Sequence, residues 1–389
     1  MRSQVIFVVS RPIYLSEQFI YNQISSLQRY QAAILGSKWP PEPRIRVDNY
    51  DVHVINHGDR RGQLHELLFK AWGWIPSETK RWIERLQPAL IHAHFLPYGV
   101  IAMPIAQRYR LPLLVSAHGT DVTMHDAEIW RSPHMAHRLY LLRRRQLNRT
   151  VSRLIVQSDF LRRLVIERHG FDPARVVCIR YGVDLTQFRN DTRSFEQGHI
   201  LYVGRLIERK GLRYLMIALA KLQPRFPDIH LTVIGDGPMR SQFETLARQL
   251  LGSRVTFLGA QTNSVVREYL QRAHIFCMPS ITMPTGEAES LGMVFLEAMA
   301  MGVPPVSFAS GGIPEVIRHG ETGFLATERD TDELAHYLGL LLSQPDLRHT
   351  FSEQGRRWVE QNFNLTTQNA KLEALYDEVI TEHRQRSMP

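Results

Sequence analysis

Residues Thr285–Leu325, TGEAESLGMVFLEAMAMGVPPVSFASGGIPEVIRHGETGFL, decide how the chain is read. The run LGMVFLEAMAMG is apolar at helical spacing, VPPVSFAS is a short β-branched run, and the glycine pair Gly311 and Gly312 follows it. A helix, a strand and a glycine turn in that order are one repeat of a parallel α/β layer. Two carboxylates, Glu289 and Glu297, stand eight residues apart in it. Were both on one helix, they would be separated by about 80° of rotation and roughly 12 Å of rise, too far to act on one atom as a glycosidase pair does. They can instead straddle one extended ligand. Glu297 also lies among Val294, Phe295, Leu296 and Met299, where a carboxylate needs a partner to offset its desolvation.

A helix beginning near Ser290 would point its first free N–H groups at an anion, with Gly292 allowing close backbone approach. The layout then suits a nucleotide sugar: diphosphate against Ser290, Leu291 and Gly292, sugar hydroxyls near Glu289, ribose hydroxyls near Glu297.

Outward from this stretch the same alternation recurs. QVIFVVS, DVHVIN, ALIHAHF, LPLLVSAHG and RLIVQS read as strands in the first half, and HILYVGR, IHLTVIGDG, RVTFLGA, AHIFCMPS and VPPVSFASGG in the second, with amphipathic segments between them. Strands that alternate with helices predict parallel sheets covered on both faces. The 389 residues exceed one ordinary core and suit two domains of roughly 150 to 200 residues, with a cleft between them. The fold class is therefore α/β, with two doubly wound, Rossmann-like domains. The polar, turn-rich segment after Tyr181 places the boundary near residue 190, giving domains 1–190 and 191–364. The strand-free helical end, 365–389, is expected to cross back to the first domain.

Three further segments join the first: GRLIERKG at Gly204–Gly211, VIGDGP at Val233–Pro238 and SAHGTDV at Ser116–Val122. In this order and spacing they resemble family-four retaining glycosyltransferases of GT-B fold, including enzymes of exopolysaccharide synthesis. The likeness is dense from about Ile200 to Leu325 and thinner in the first half. It implies a donor nucleotide diphosphate sugar (UDP- or GDP-linked) on the second domain and a saccharide or lipid-linked acceptor on the first, with neither metal nor cofactor.

The residues agree with that implication. Gly204 and Arg205 follow a strand and Lys210 lies five residues beyond Arg205, in a turn before a helix, so both cations can converge on one diphosphate and stabilise it as it leaves. Arg209 beside them reads as a surface charge. Asp236 and Gly237 end a strand and turn toward the same crevice. His118 follows an apolar strand and is expected to open toward the transferred sugar, with Asp121 orienting it. His92 and His94 are read as facing opposite sides of their strand, and His94 as approaching the acceptor. Where many relatives carry a glycine-rich loop after strand one, this chain has VVSRPIYLSEQFI, so Arg11, Ser16 and Glu17 are expected to shape an acceptor or sugar pocket.

Other classes find less support. Gly235-x-Gly237 after a strand resembles a dinucleotide fingerprint, but Arg240 occupies the place of the third glycine. Asp330, Thr331 and Asp332 resemble a manganese-binding D-x-D, yet Asp330 with Glu333 reads as a helix cap. A non-catalytic nucleotide-sugar-binding scaffold would have no need of Arg205, Lys210, Glu289 and Glu297 together. A sugar-nucleotide epimerase would turn over without acceptor.

The net charge of +9 favours anionic partners. The densest basic stretch interleaves Arg138, Arg143, Arg144, Arg145 and Arg149 with leucines, a pattern suited to an anionic membrane surface. No zinc-finger or RNA-recognition signature accompanies the charge, so nucleic acid is not expected. Cys178 and Cys277 read as buried free thiols. No apolar run is long enough to span a bilayer, and the expected location is the cytoplasm or the inner face of its membrane.

Overall fold

A computed structural model describes residues 2–12, 18–39, 49–189 and 195–387. The chain divides into two compact units, 1–182 with 365–389, and 183–364. The first division thus falls after Gly182, ahead of the residue 190 expected from the polar segment. Val183 donates its N–H to the Phe363 carbonyl at 2.7 Å, which draws the following residues into the second unit.

Among the described residues the first unit holds seven parallel strands: β1 (Ser3–Val9), β2 (Tyr30–Lys38), β3 (Asp51–Asn56), β4 (Leu90–His94), β5 (Leu113–Ser116), β6 (Arg153–Val156) and β7 (Val176–Cys178). Their order is β3-β2-β1-β4-β5-β6-β7. The second unit holds six: β8 (His199–Val203), β9 (His230–Ile234), β10 (Val255–Gly259), β11 (Ile275–Cys277), β12 (Pro305–Phe308) and β13 (Phe324–Ala326), ordered β10-β9-β8-β11-β12-β13. Every pairing is parallel. Continuous apolar runs explain this: Val5 to Val9 are all buried, as strands covered on both faces must be.

The sequence reading missed β2 and β13, and took β7 only as an apolar, strand-like setting for Cys178. Tyr30–Lys38 follows a helical run without a turn signal, while β7 and β13 are three residues each. The last helix, Leu365–Ser387, packs in the first unit: the Glu373 carboxylate accepts the N–H groups of Gln28 and Arg29 at 2.9 and 2.7 Å, and Tyr30 donates to Asp377 at 2.6 Å.

In each order the direction of winding reverses once, between β1 and β4 and between β8 and β11. At such a point the connections leave on opposite faces of the sheet and open a crevice outside the carboxyl ends of the two strands. The loops after β8 and β11 carry Arg205 to Lys210 and Glu289.

Candidate active site

After β8 the chain runs through Gly204 and the exposed Arg205, buries Leu206, and tightens into a 3₁₀ turn, Glu208–Lys210. Gly211 ends the turn at φ 73° and starts the helix Leu212–Leu222. A Cβ there would collide with the Pro279 carbonyl, so glycine alone lets the turn lie against the loop after β11. Ile281 donates its N–H to the Arg209 carbonyl at 2.8 Å, tying the two loops together.

Glu289 receives both side chains of that turn. Its Oε2 accepts from Lys210 Nζ at 2.6 Å and from Arg209 Nη1 at 3.0 Å, and all three side chains are at most 14% exposed. Burial opposes ionisation of Glu289, but the fields and hydrogen bonds of Lys210 and Arg209 outweigh it and hold the carboxyl down to about 2. Burial lowers the Lys210 ammonium, with Arg209 and Arg205 adding to the effect. Arg209 is therefore no surface charge. A 3₁₀ turn points consecutive side chains about 120° apart, so sequence spacing alone did not indicate which of Arg209 and Lys210 faces inward, and both do.

The loop after β12 holds Glu289 from behind. Gly312 donates its N–H to the Glu289 carbonyl at 2.8 Å, and Gly311, at φ 58°, leaves no room for a Cβ against the same carbonyl. Gly311→Ala is expected to destabilise the second unit by about 1–3 kcal/mol and to lower kcat/KM about tenfold. Thermal unfolding and steady-state kinetics on one preparation check both.

The helix expected near Ser290 begins at Met293, with Gly292 at its N-cap in the left-handed region, φ 85°. Glu289 thus lies outside the helix, and the rotation inferred for two residues on one helix does not apply. Ser290 is half-buried and Leu291 buried, leaving Leu291 only its backbone to offer. Glu297 sits one turn into the helix, half-buried and without an ion pair among the described residues. Burial raises its pKa to about 7, Arg267 opposing weakly.

Asp236 follows β9 in the same row of loops. Its carboxylate accepts the Gly237 N–H at 2.7 Å and pairs with Arg240 at 3.2 Å. Gly237 brings the β9 loop against Leu206, whose N–H donates to the Asp236 carbonyl at 2.9 Å. Asp236 thereby braces the Arg205 loop.

In the first unit, His118 follows β5 and is buried. Its Nε2 meets His94 Nδ1 at 3.0 Å, and the Tyr181 hydroxyl bonds to its Nδ1. Both ring nitrogens are engaged, so a sugar hydroxyl must displace one partner. Burial keeps the His94 and His118 imidazoles well below the usual histidine range, hence neutral near pH 7. Asp121 does not orient the His118 ring. Its carboxylate accepts the backbone N–H groups of His118, Gly119 and Leu96 at 3.0, 2.9 and 2.9 Å, fixing the loops after β4 and β5.

His92 and His94 face the same side of β4, contrary to the reading above: a strand's period of two puts residues i and i+2 on one face, and their rings stack at 4.6 Å. His94 Nε2 is buried without a hydrogen-bond partner. Arg11 lies half-buried in the bend after β1. Ser16 and Glu17 lie outside the described residues. Tyr181, and Phe95 with its ring 4.4 Å from His118, were not singled out in the sequence, where neither carries a motif.

Asp330 caps the helix Thr331–Ser343, accepting the N–H groups of Asp332 and Glu333 at 2.9 Å. Cys178 and Cys277 are free thiols, half-buried and buried. Among the described residues no helix is long and apolar enough to cross a membrane.

This arrangement defines a GT-B glycosyltransferase scaffold, and comparison with known proteins agrees. Residues 186–358 match the family described as Glycosyl transferases group 1, and residues 17–187 that described as Glycosyltransferase Family 4. A protein of Escherichia coli K12 bearing the name colanic acid biosynthesis glycosyltransferase WcaL is 30% identical over 73% of this chain and 69% of its own. N-acetyl-alpha-D-glucosaminyl L-malate synthase of Bacillus anthracis is 28% identical over 80% of each. The crystal structure of Anabaena HepE in complex with UDP and glucose superposes with a TM-score of 0.77, at 19% identity, over 97% of this chain and 100% of that one. The chain belongs to the family-four, group 1 glycosyltransferases.

Proposed function

We propose that the chain transfers a sugar, with retention and without a divalent ion, from a UDP- or GDP-sugar on the second unit to a hydroxyl of a saccharide or lipid-linked acceptor. The observation that carries this is the Lys210–Glu289–Arg209 cluster beside the β8 and β11 crevice, with Arg205 exposed on the same loop. Three cations against one carboxylate leave a surplus of positive charge at a place built for an anion. A donor diphosphate supplies the missing charge.

Arg205 and Lys210 bind its phosphate oxygens, with Arg209 beside them. The backbone at Ser290, Leu291 and Gly292 adds N–H groups, Gly204, Asp236 and Gly237 shape the neighbouring loops, Glu289 orients the sugar hydroxyls, and Glu297 accepts from the ribose. In the transfer, the bond from the anomeric carbon to the phosphate oxygen breaks. The acceptor oxygen bonds to the same face, and its proton passes to the departing phosphate. Cations already in place stabilise the charge that grows there.

On the first unit, His118 exchanges one ring partner for a sugar hydroxyl, while Arg11, Ser16, Glu17 and His94 shape the acceptor side and Asp121 holds their loops. The name of the E. coli relative supports a role in exopolysaccharide or glycoconjugate synthesis.

The test mixes UDP- and GDP-sugars with enzyme and acceptor in EDTA and follows the product's anomeric proton by NMR. Turnover should persist, and the donor's anomeric configuration should be kept. Strict loss of turnover with chelator contradicts metal independence, and an inverted product contradicts retention.

A further inference from the structure

The helix Arg60–Trp72 is turned outward. Leu64, Leu67, Leu68, Ala71 and Trp72 fall at i, i+3, i+4, i+7 and i+8, the stripe by which a surface helix ordinarily meets its core. Here Leu64, Leu67 and Trp72 are exposed, Trp72 by 73%, and the helix buries only Gly62 and Phe69. Among the described residues eight large apolar side chains are exposed, and six of them lie on this helix and its neighbours: Leu64, Leu67, Trp72, Trp74, Trp130 and Leu142. Isolated exposed apolar residues are ordinary, but a clustered set marks a contact surface.

The helix Met135–Thr150 lies alongside. Arg143 donates to the Ala71 carbonyl at 2.8 Å, Arg144 pairs with Asp126 at 3.1 Å, and Arg138 donates to the Trp130 carbonyl at 3.0 Å. Three of the five arginines read from the sequence as a basic face therefore join helices together, Arg138 among them while its side chain stays exposed. Arg138, Leu142, Arg145 and Arg149 face outward at i, i+4, i+7 and i+11. Segments 57–76 and 124–150 carry nine Lys and Arg against four Asp and Glu, a surplus of five from a chain whose net charge is +9.

We infer that this face of the first unit docks on an anionic lipid bilayer, with Trp72, Trp74, Trp130 and the leucines in the interface and Arg138, Arg145 and Arg149 on the headgroups. Tryptophan beside arginine is the composition that a bilayer interface selects, and the surplus charge sets the preference for anionic lipid. A lipid-linked acceptor would thereby be met where it resides. The docking itself rests on the surface of the first unit alone and requires no donor.

The test is co-sedimentation with vesicles of phosphatidylcholine, alone or mixed with phosphatidylglycerol, without donor or acceptor. The full chain should bind the mixed vesicles far better than the neutral ones, with a blue shift in tryptophan fluorescence. Arg138→Gln with Arg145→Gln and Arg149→Gln should weaken binding to mixed vesicles about 100-fold. Leu64→Ser with Leu67→Ser and Trp72→Ser should weaken it at least about tenfold. Both triple variants should keep the parent's thermal midpoint and its turnover of a water-soluble acceptor. Equal binding to both vesicle types, or full binding by either variant, overturns the proposal. So does a dimer, seen by light scattering, that the leucine and tryptophan replacements dissolve, since the face would then join two copies of the chain. Failure here leaves sugar transfer in solution untouched, and loss of that transfer alone leaves vesicle binding intact.

Discussion

Lys210→Ala should lower kcat/KM by about 1,000-fold, the scale on which one preorganised charge at a developing oxyanion is worth several kcal/mol. The 2.6 Å contact with Glu289 holds the ammonium in place before any donor arrives, so little reorganisation remains for the reaction. Lys210→Arg keeps the charge but changes the shape and hydrogen-bond geometry of the head, and should recover only part of the loss.

The same contact has a stability counterpart. Lys210 and Arg209 hold the Glu289 carboxyl down to about 2 in the folded chain, against the ordinary glutamate value of 4.5. A lowered carboxylate pKa contributes stability that is fully present above about pH 4.5 and disappears as pH falls through about 2, on the order of 3 kcal/mol. In Lys210→Ala only Arg209 remains on Glu289, so unfolding of the second unit should begin at higher pH. Circular dichroism across pH 2 to 5, paired with kinetics, measures both consequences. An alanine variant with wild-type kcat/KM would remove Lys210 from the reaction.

Glu297→Gln should move stability and binding in opposite directions. The carboxyl is raised to about 7 by burial, so between about 4.5 and 7 the folded state holds a proton that the unfolded state has lost. Its effect on stability is therefore unfavourable as pH rises through that window and largest above 7. Replacing it by a neutral amide should stabilise the free protein at pH 8 by about 2 kcal/mol, discounted for its partial exposure, or roughly 4–8 °C in Tm. Donor affinity should fall about thirtyfold, the worth of one charge-assisted hydrogen bond to the ribose. In the parent, affinity should drop as pH falls below 7 and Glu297 takes up its proton; in the variant this dependence should vanish. Scanning calorimetry and donor titration at pH 6 and 8 read all of these. A destabilised variant with unchanged affinity would mean Glu297 serves packing instead.

The sequence made the two sheets legible because their strands are uninterrupted apolar runs bounded by glycine and polar turns, as at Val5–Val9 and Leu231–Ile234. It left β2 and β13 unread, since β2 has no turn signal before it and the three residues of β13 stand between polar turns with no apolar flank. The residue types of the site were equally plain, but their directions were not. Arg209 faces Glu289 because a 3₁₀ turn, rather than an extended loop, leads to Gly211. The helix starts at Met293 because Gly292 takes a left-handed conformation, which no local spacing announces. Asp121 serves backbone amides, a role that depends on where the β4 loop returns in space. The misread pair His92 and His94 was different: the strand period already placed both on one face.

A crystal structure of the chain with a nucleoside diphosphate, grown in EDTA, tests the central claim most directly. The account predicts the β-phosphate within hydrogen-bonding distance of Lys210 Nζ and the Arg205 guanidinium, close to the N–H groups after Glu289, with no ion between them. A diphosphate bound elsewhere, or one that leaves the Lys210–Glu289–Arg209 cluster out of reach, would contradict it.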